Sequence, residues 1–301
     1  MTGLGVPGIL LLLGQSALRN ESGTIAVQMI VTEEAKHGHD IPALKQEDVS
    51  AYERKDRLKV QEFVPLGDSA LDLVVLLDDA SDTNLGSQFS DLRQFIQAQP
   101  SATQIGIAYM RNGTFDMVQS LTSDHSHASS TLRLPLSSGG AMASPYLSLS
   151  DLVRRWPGKS GRREVVMVTS GVDPLGGLGA IDPYLDNSIN DAQRGRVVVY
   201  TIYTPAGGHS GHSFFRLNWA QNHLAQLSEE TGGEACMLGF GAPVAFAPWL
   251  DEITEHLKHQ YNVTFLIKPA QKAGFRTVRL STEVPNADLV AASKVYVPAA
   301  Q

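Results

Sequence analysis

The chain has 301 residues, and 43% of them are hydrophobic, which is enough apolar material for a packed core in one large or two modest domains. The 31 acidic residues outnumber the 24 basic ones and give a formal charge of -7, so we expect no positive surface for nucleic acid or anionic lipid. The single cysteine, Cys236, excludes an internal disulfide and a cysteine-rich zinc site.

The N-terminal segment 1–20 has a pattern similar to that of a secretory signal. An apolar run from Val6 to Leu13 precedes the small residues Ser16 and Ala17, although no lysine or arginine comes before the run. The alternative is an N-terminal strand or helix that packs on the domain. We expect an exported protein (periplasmic, cell-surface or secreted) without a transmembrane segment, because no apolar stretch reaches the length that spans a bilayer.

The order of predicted elements divides the chain into three parts. Residues 21–68 alternate apolar and polar side chains, as in GTIAVQMIVTEE, and predict strands with a turn at Arg54 to Asp56. Residues 69–260 alternate strand-like and helix-like stretches, which predicts an α/β domain with a doubly wound, mostly parallel, Rossmann-like sheet. Residues 261–301 return to short strands. Neither terminal set has enough strands to enclose a core, so we predict that the two sets pair and form one small β-sandwich.

Two adjacent aspartates stand where the first strand of the α/β domain ends. The run from Leu73 to Leu77 is continuously apolar, which is typical of a strand covered on both faces. Asp78 and Asp79 follow this run, and α/β sheets bind their ligands at the carboxyl ends of strands. The pair is therefore the first candidate for a functional site.

Five stretches, in their order along the chain, resemble a von Willebrand factor A domain and most of all the "VWFA-related" group of bacterial exported proteins, in which strands flank the A domain. Three stretches match the loop regions that build the family's metal site: LLDDASDTNLGSQFSDLRQFI, SPYLSLSDLVRRWP and EVVMVTSGVD. Two match the closing pattern of the VWFA-related group: LAQLSEETGGEACMLG and WLDEITEHLKHQYNVTFLIKP. The resemblance spans residues 24–298 and implies a von Willebrand A fold with a protein-binding function.

The resemblance also implies a metal-ion-dependent adhesion site. In the family, this site takes Asp-x-Ser-x-Ser after the first strand, a threonine from a second loop and an aspartate from a third. With Asp78 first, the motif here has an alanine at the first hydroxyl position. With Asp79 first, it keeps Ser81 and Thr83 but begins one residue beyond the apolar run. The distance to the apolar residues of the next helix slightly favours Asp79.

The second and third parts of the implied site are also altered. Ser144 stands in place of the threonine, and it serves equally well as the N-cap of a helix that starts at Pro145. Ser170 replaces the third-loop aspartate, and Asp173 is near enough in sequence to substitute for it. We expect a degenerate site that binds Mg²⁺ or Mn²⁺ weakly if at all, because carboxylate charge supplies much of the affinity for hard cations. The alternative is that these side chains only cap helices.

No complete catalytic constellation is present in the sequence. The chain has no Gly-x-Ser-x-Gly elbow, and the histidines of GGHSGHSFFR match no standard metal spacing. We predict that the protein is not an enzyme but a non-catalytic adhesion or scaffold module that binds a protein partner. One alternative is a metal-assisted hydrolase, in which Asp78 or Asp79 holds the ion and a nearby histidine is the base. Another is a purely structural component of an envelope assembly.

Overall fold

The structure is a computed structural model that describes residues 23–36, 40–137, 144–159, 161–177, 179–207 and 213–299. The signal-like segment 1–20 lies outside the described residues. The strands are β1 (Ile25–Ala35), β2 (Val49–Glu53), β3 (Asp56–Pro65), β4 (Leu71–Asp78), β5 (Thr103–Arg111), β6 (Thr114–Thr122), β7 (Arg162–Thr169), β8 (Val197–Tyr203), β9 (Ala235–Cys236), β10 (Gln260–Ile267), β11 (Gly274–Thr282), β12 (Ala287–Ala291) and β13 (Lys294–Val297). The α-helices are α1 (Phe89–Ala98), α2 (His125–Ser130), α3 (Pro145–Arg154), α4 (Pro183–Gly195), α5 (Phe214–Thr231) and α6 (Ala247–Lys258).

The middle of the chain forms a six-stranded sheet between two layers of helices. Its strand order is β6-β5-β4-β7-β8-β9, in which the edge strand β6 runs antiparallel and the other strands run parallel. Helices α1 and α6 pack on one face, and α3, α4 and α5 pack on the other. The predicted fold class, a doubly wound and mostly parallel sheet, is confirmed.

Strand β4 shows why its apolar run is continuous. All eight residues of β4 are buried. Leu73, Val75 and Leu77 belong to the hydrophobic cluster that includes α1 and α6. Val74 and Leu76 belong to the cluster on the opposite face. Successive side chains of a strand point to opposite faces, so a strand between two helix layers needs an apolar residue at every position.

The terminal parts of the chain combine into a second sheet, which we call the terminal sheet. Its order is β12-β1-β10-β3-β2-β11-β13, with antiparallel pairing at each neighbouring pair. Strand β1 pairs with β10 and β12, and β2 pairs with β11, so the predicted pairing of N-terminal with C-terminal strands is confirmed. Side chains from β1, β2, β10, β11 and β13 share one hydrophobic cluster. Because the ladders join all seven strands, the predicted β-sandwich is one continuous sheet rather than two separate sheets.

The predicted boundary between residues 68 and 69 falls in the connection from β3 to β4, and the one between 260 and 261 falls just inside β10. The division of the chain into 21–68 with 261–301 and 69–260 stays a prediction. Among the helices in the described part of the chain, none combines the length and the apolar character that crossing a bilayer requires.

A buried arginine joins the terminal sheet to the amino ends of the parallel strands. Arg162 is the first residue of β7 and is 4% exposed. It donates hydrogen bonds to the backbone carbonyls of Leu66, at 2.7 Å, and of Leu257 in the last turn of α6. Its Nε donates to Glu164 at 3.1 Å and to the side-chain oxygen of Gln260 at 3.0 Å. The chain leaves the terminal sheet next to Leu66 and returns to it at Gln260, so one side chain holds both passages.

Glu164 is the counter-charge of this arginine and is fully buried. Burial raises the pKa of Glu164, while the charge of Arg162 and the hydrogen bond from Gln260 oppose that rise. A carboxylate in such a place is tolerated only with its partners, since an isolated buried charge costs several kcal/mol. The stability of the fold should therefore fall most when one partner of the buried Arg162–Glu164 pair is removed and the other stays.

We expect Arg162→Ala to lower the free energy of unfolding by about 3–5 kcal/mol, because it leaves the buried Glu164 carboxylate without its cation. Urea denaturation at pH 7 measures the change. Arg57→Ala is the matched control, because Arg57 is exposed and its guanidinium donates a hydrogen bond to the Ser50 hydroxyl at 3.1 Å. The control should stay within about 0.5 kcal/mol of the unaltered protein. A loss below 1 kcal/mol in Arg162→Ala would show that the network does not hold the two parts together.

Candidate functional site

The candidate site lies at one edge of the parallel sheet. We call this edge the loop face: it is where β4, β7, β8 and β9 end, and it comprises the loops that follow these strands and the loop that precedes α3. Parallel strands bring their carboxyl ends to the same edge, so the three loops that the sequence singled out meet here. A hydrogen bond from Ser137 N–H to the Asp79 carbonyl, at 2.9 Å, ties the second loop to the first.

Asp78 is the last residue of β4 and faces the third loop. Its side chain is buried, with Oδ1 accepting a hydrogen bond from the backbone N–H of Ala80 at 2.8 Å and Oδ2 accepting one from the Thr169 hydroxyl at 2.6 Å. Burial raises the pKa of Asp78 to about 6 against these two hydrogen bonds, and the nearby charges of Asp79 and Asp173 add to the rise. The carboxyl group is thus poised to change its protonation state at mildly acidic pH.

Asp79 is also buried, but it faces away from the third loop. The Arg133 guanidinium donates to both of its carboxylate oxygens, at 2.6 and 2.9 Å. The same guanidinium lies 3.8 Å from the centre of the Tyr109 ring. The Tyr109 hydroxyl donates to the Arg133 carbonyl at 2.6 Å and accepts from its N–H at 2.8 Å. This bidentate ion pair neutralises Asp79 and fixes the second loop against β5.

The sequence slightly favoured Asp79 as the first residue of the motif, whereas the geometry favours Asp78, and the role of either residue as a metal ligand stays a prediction. The ladder with β5 continues to Asp78, so the alternation of a strand turns Asp78 towards one face and Asp79 towards the other. Of the other members of that register, Thr83 is exposed, and the buried Ser81 hydroxyl has no hydrogen-bond partner among the described residues. Asp78, Asp79, Ser81 and Thr83 therefore do not gather around one point.

The second loop supplies Ser144, which fulfils both of the roles considered for it. Its Oγ accepts a hydrogen bond from Leu147 N–H at 3.4 Å, so it is the N-cap of α3. Its hydroxyl also donates to Oδ2 of Asp173 in the third loop. Ser144 is fully buried, so this bond is protected from water.

In the third loop, the carboxylate that reaches the second loop belongs to Asp173. Ser170, which stands at the family's aspartate position, is buried and accepts a hydrogen bond from Val172 N–H at 3.3 Å. Asp173 accepts from the backbone N–H groups of Leu175 and Gly176 at 2.8 and 2.9 Å. The third loop folds back towards the second, as the sequence allowed. The charged side chain of the third loop at this position is therefore that of Asp173 and not that of residue 170.

Thr169 and Arg133 were missed by the reasoning from sequence. Thr169 could have been found, because the parallel pairing of β4 with β7 places Leu77 opposite Val168 and hence Thr169 beside Asp78. For Arg133, the only local signal is a cation between two leucines in TLRLPL.

The hydroxyl and carboxylate oxygens at the loop face form two pairs, each joined by a hydrogen bond: Asp78 with Thr169, and Ser144 with Asp173. A hard cation would need several of these oxygens at about 2.0–2.6 Å, in place of the hydrogen bonds that they now accept. Within the described residues, no group of three carboxylate, imidazole or thiol side chains converges at this face. The set Asp78, Asp79, Ser81, Thr83, Ser144 and Ser170 stays a prediction as metal ligands, and the geometry favours Asp78, Thr169, Ser144 and Asp173 over the remainder.

Exposed apolar side chains are concentrated at the same face. The described part of the chain has eleven exposed large hydrophobic side chains, of which two, Val64 and Val118, lie on strands β3 and β6. The remaining nine lie in the loops of the loop face or in the first two turns of α5: Leu134, Leu136, Leu175, Ile181, Phe214, Phe215, Trp219, Leu238 and Val244. Apolar exposure in this protein is therefore localised.

The rings at the start of α5 form the best-defined part of this surface, which we call the aromatic patch (Phe214, Phe215, Trp219 and Phe240). Phe214 is 61% exposed and Phe215 is 75% exposed. The Phe214 ring centre lies 5.2 Å from that of Phe240 and 6.0 Å from that of Phe215. The Tyr203 hydroxyl donates to the Phe240 carbonyl at 3.1 Å and so fixes the loop after β9 to the end of β8. The sequence signal was the pair of phenylalanines after a polar, glycine-rich stretch.

No protein-family model and no curated protein matches the sequence. Among solved structures, the chain is similar to an aerotolerance-related membrane protein from Bacteroides fragilis, with 13% identity, a TM-score of 0.44 and coverage of 62% of this chain and 98% of that one. It is similar to the SpRpn10 VWA domain, with 12% identity, a TM-score of 0.41 and coverage of 61% and 95%. It is also similar to the pilus adhesin SpaC from Lactobacillus rhamnosus GG, with 8% identity, a TM-score of 0.45 and coverage of 92% of this chain but 46% of the adhesin.

A VWA domain is among these structures. The doubly wound fold class rests on the strand order of the chain itself. Identities and TM-scores this low carry no argument about what the chain does.

The raised pKa of Asp78 gives a pH dependence of known sign. The folded state keeps the proton up to about pH 6, whereas the unfolded chain releases it near the ordinary value of 3.8. Protonated Asp78 therefore stabilises the folded state below about pH 4, and this contribution is lost as the pH rises through 6. Between pH 4 and 7 the unaltered protein should lose about 2 kcal/mol more than Asp78→Asn, which has no proton to release.

Urea unfolding at several pH values, with a chelator present, measures this difference. Asp56→Asn is the control, because it removes an exposed carboxylate at the first residue of β3 and should keep the pH profile of the unaltered protein. Parallel profiles for the unaltered protein and Asp78→Asn would show that Asp78 is ionised throughout this range.

Proposed function

We propose that the protein is a non-catalytic module that binds a protein partner through its loop face. The observation that carries the proposal is that nine of the eleven exposed large hydrophobic side chains in the described part of the chain lie at that face. Contiguous apolar surface is rare on soluble monomers and commonly marks an interaction site. Aromatic side chains are enriched where interfaces are energetically strongest, which makes the aromatic patch the expected centre of contact.

The polar groups of the loop face support a binding role rather than a catalytic one. Four polar side chains of this face are buried and form two hydrogen-bonded pairs, Asp78 with Thr169 and Ser144 with Asp173. A general base needs access to a substrate proton, and a nucleophile needs a base within hydrogen-bond reach. His223, the histidine of α5, is also buried, with Nε2 at 3.3 Å from the Ala180 carbonyl. These side chains shape the loops, and the exposed apolar ones are available to a partner.

We also propose that the protein is exported and belongs with the VWFA-related proteins. The apolar segment at the N-terminus and the order of the five motifs support this part of the proposal. The pairing of the flanking strands into one terminal sheet agrees with an A domain that is flanked by strands. The partner would then be a protein of the bacterial envelope or cell surface.

The double variant Phe214→Ser, Phe215→Ser should weaken partner binding by at least about 30-fold, because hot-spot aromatic residues contribute 2 kcal/mol or more each. Proteins captured from envelope extracts by the unaltered chain and by the variant are quantified, and the affinity of the enriched protein is then measured with purified components. Val64→Ser is the matched control, because Val64 is 46% exposed and lies on β3 of the terminal sheet. This variant should bind the partner as the unaltered chain does. Equal binding by all three proteins would exclude the aromatic patch as the contact surface.

A second experiment concerns the metal. We propose that Mg²⁺ or Mn²⁺ binds the loop face weakly if at all, since the available carboxylates already accept protein hydrogen bonds. Thermal unfolding in millimolar Mg²⁺ and in chelator should nearly coincide, because linkage adds stability only when the free ion greatly exceeds its dissociation constant. Ser170→Asp should melt below the unaltered protein in chelator, since it adds a buried charge near Asp173, and Mg²⁺ should raise its melting temperature.

Ser170→Asn is the control for that variant, because it has similar size without the charge, and it should show no response to Mg²⁺. A clear Mg²⁺-dependent rise in the unaltered protein that Asp78→Ala abolishes would show that the adhesion site is intact and that the proposal of a degenerate site is wrong.

A further inference from the structure

A second group of metal-ligating side chains lies on the side of the molecule remote from the loop face. One ligand atom from each of Glu234, Glu252 and His256 lies within 4.8 Å of the others. Glu252 and His256 are four residues apart on α6 and so share one face of that helix. Glu234 immediately precedes β9, and its carbonyl accepts a hydrogen bond from Thr201 N–H at 2.9 Å. Two elements of the α/β domain therefore fix the three side chains.

The terminal sheet contributes a third carboxylate. Oε1 of Glu34, in β1, lies 3.5 Å from Nε2 of His256, while Oε2 of Glu234 lies 3.7 Å from Nδ1 of the same ring. The His256 side chain is only 12% exposed. Burial lowers the pKa of His256, so the ring is neutral at pH 7 and is in the form that binds metals. A neutral ring does not balance the charges of the carboxylates around it.

One carboxylate oxygen of the group lacks a hydrogen-bond donor among the described residues. Oε2 of Glu234 is buried and accepts no hydrogen bond from any described residue. Burial, together with the charges of Glu252 and Glu34, raises the pKa of Glu234 to about 7. A buried carboxylate oxygen that lacks a donor is costly, and each such atom requires an explanation such as a proton or a bound ion. Here the unsatisfied oxygen faces an imidazole nitrogen, a pair that a divalent cation can bridge.

We propose that Glu234, Glu252 and His256 bind a divalent transition-metal ion of the Zn²⁺ type, with Nδ1 of His256 towards the ion and Nε2 towards Glu34 of the terminal sheet. A metal-bound histidine commonly donates its second ring N–H to a carboxylate, which fixes the orientation of the ring. Imidazole nitrogen together with carboxylate oxygen is a ligand set that zinc accepts, whereas Mg²⁺ prefers oxygen ligands and retained waters. The three ligand atoms lie within 4.8 Å of one another, so the side chains would move closer together when the ion binds.

The consequence of this site goes beyond the proposed binding function and does not depend on it. A cation held by α6 and by the residue before β9 would fix the His256 ring, whose Nε2 faces Glu34 of β1, and would so connect the α/β domain to the terminal sheet. It would add stability to the seam between them, because an ion that binds only the folded state shifts the folding equilibrium. The ion would therefore serve a structural role, far from the surface proposed for the partner.

The test uses Zn²⁺ alone and the full chain, which is first stripped with a chelator. Equilibrium dialysis gives the stoichiometry, and thermal unfolding gives the stabilisation. We expect one Zn²⁺ per chain, a rise in melting temperature, and no rise with Mg²⁺ at the same concentration. Glu252→Gln should weaken Zn²⁺ binding at least tenfold and remove the rise. Because Glu252 is exposed, this variant should fold, which the circular dichroism spectrum checks.

Glu255→Gln is the matched control, because Glu255 is on the same helix, is exposed and pairs with Lys258 at 2.7 Å instead. It should bind Zn²⁺ as the unaltered protein does, and His256→Gln should behave as Glu252→Gln. The proposal is overturned if no Zn²⁺ binds. It is equally overturned if Zn²⁺ binds but Glu252→Gln retains the full affinity, since the ion is then held by other histidines of the chain.

Discussion

The hydrogen bonds of the Arg162 side chain hold the terminal sheet against the α/β domain. This side chain is buried with Glu164 and donates to Leu66 and Leu257 and to the side chain of Gln260, so it holds the chain where it leaves and where it rejoins the terminal sheet. A buried charge tolerates little displacement, because its partners must stay within hydrogen-bond distance. The terminal sheet is thereby fixed at the amino ends of the parallel strands.

The carboxyl ends of the strands lie at the opposite edge, where α/β sheets generally bind their ligands. The exposed large apolar side chains follow the same division, since among the described residues only Val64 and Val118 lie away from the loop face. The group formed by Glu234, Glu252 and His256 lies beside Glu34 of the terminal sheet. Its position suits a structural ion, whereas the loop face suits a partner.

Local patterns in the sequence predicted the elements, but contacts between distant residues could not be predicted. The continuous run from Leu73 to Leu77 identified β4, and the Ser-Pro pair at Ser144 identified the start of α3. The choice between Asp78 and its neighbour could not be settled from sequence, because it depends on the last pair of the ladder with β5, and a shift of one residue reverses the face. Arg133 lies 54 positions from the aspartate that it neutralises, and no local pattern encodes such a pairing.

The two aspartates at the end of β4 show how adjacent buried carboxylates can be stabilised by the protein itself. Asp79 forms an ion pair with the guanidinium of Arg133. Asp78 accepts hydrogen bonds from a backbone N–H and a hydroxyl, and its pKa is raised to about 6. A guanidinium that is part of the chain is present at every salt concentration, whereas a bound ion is lost when its free concentration falls below its dissociation constant. On the proposed function, the loop face therefore keeps its shape whatever the supply of Mg²⁺. The partner would then recognise apolar surface rather than a shared cation, and binding should depend on the aromatic patch and not on divalent ions.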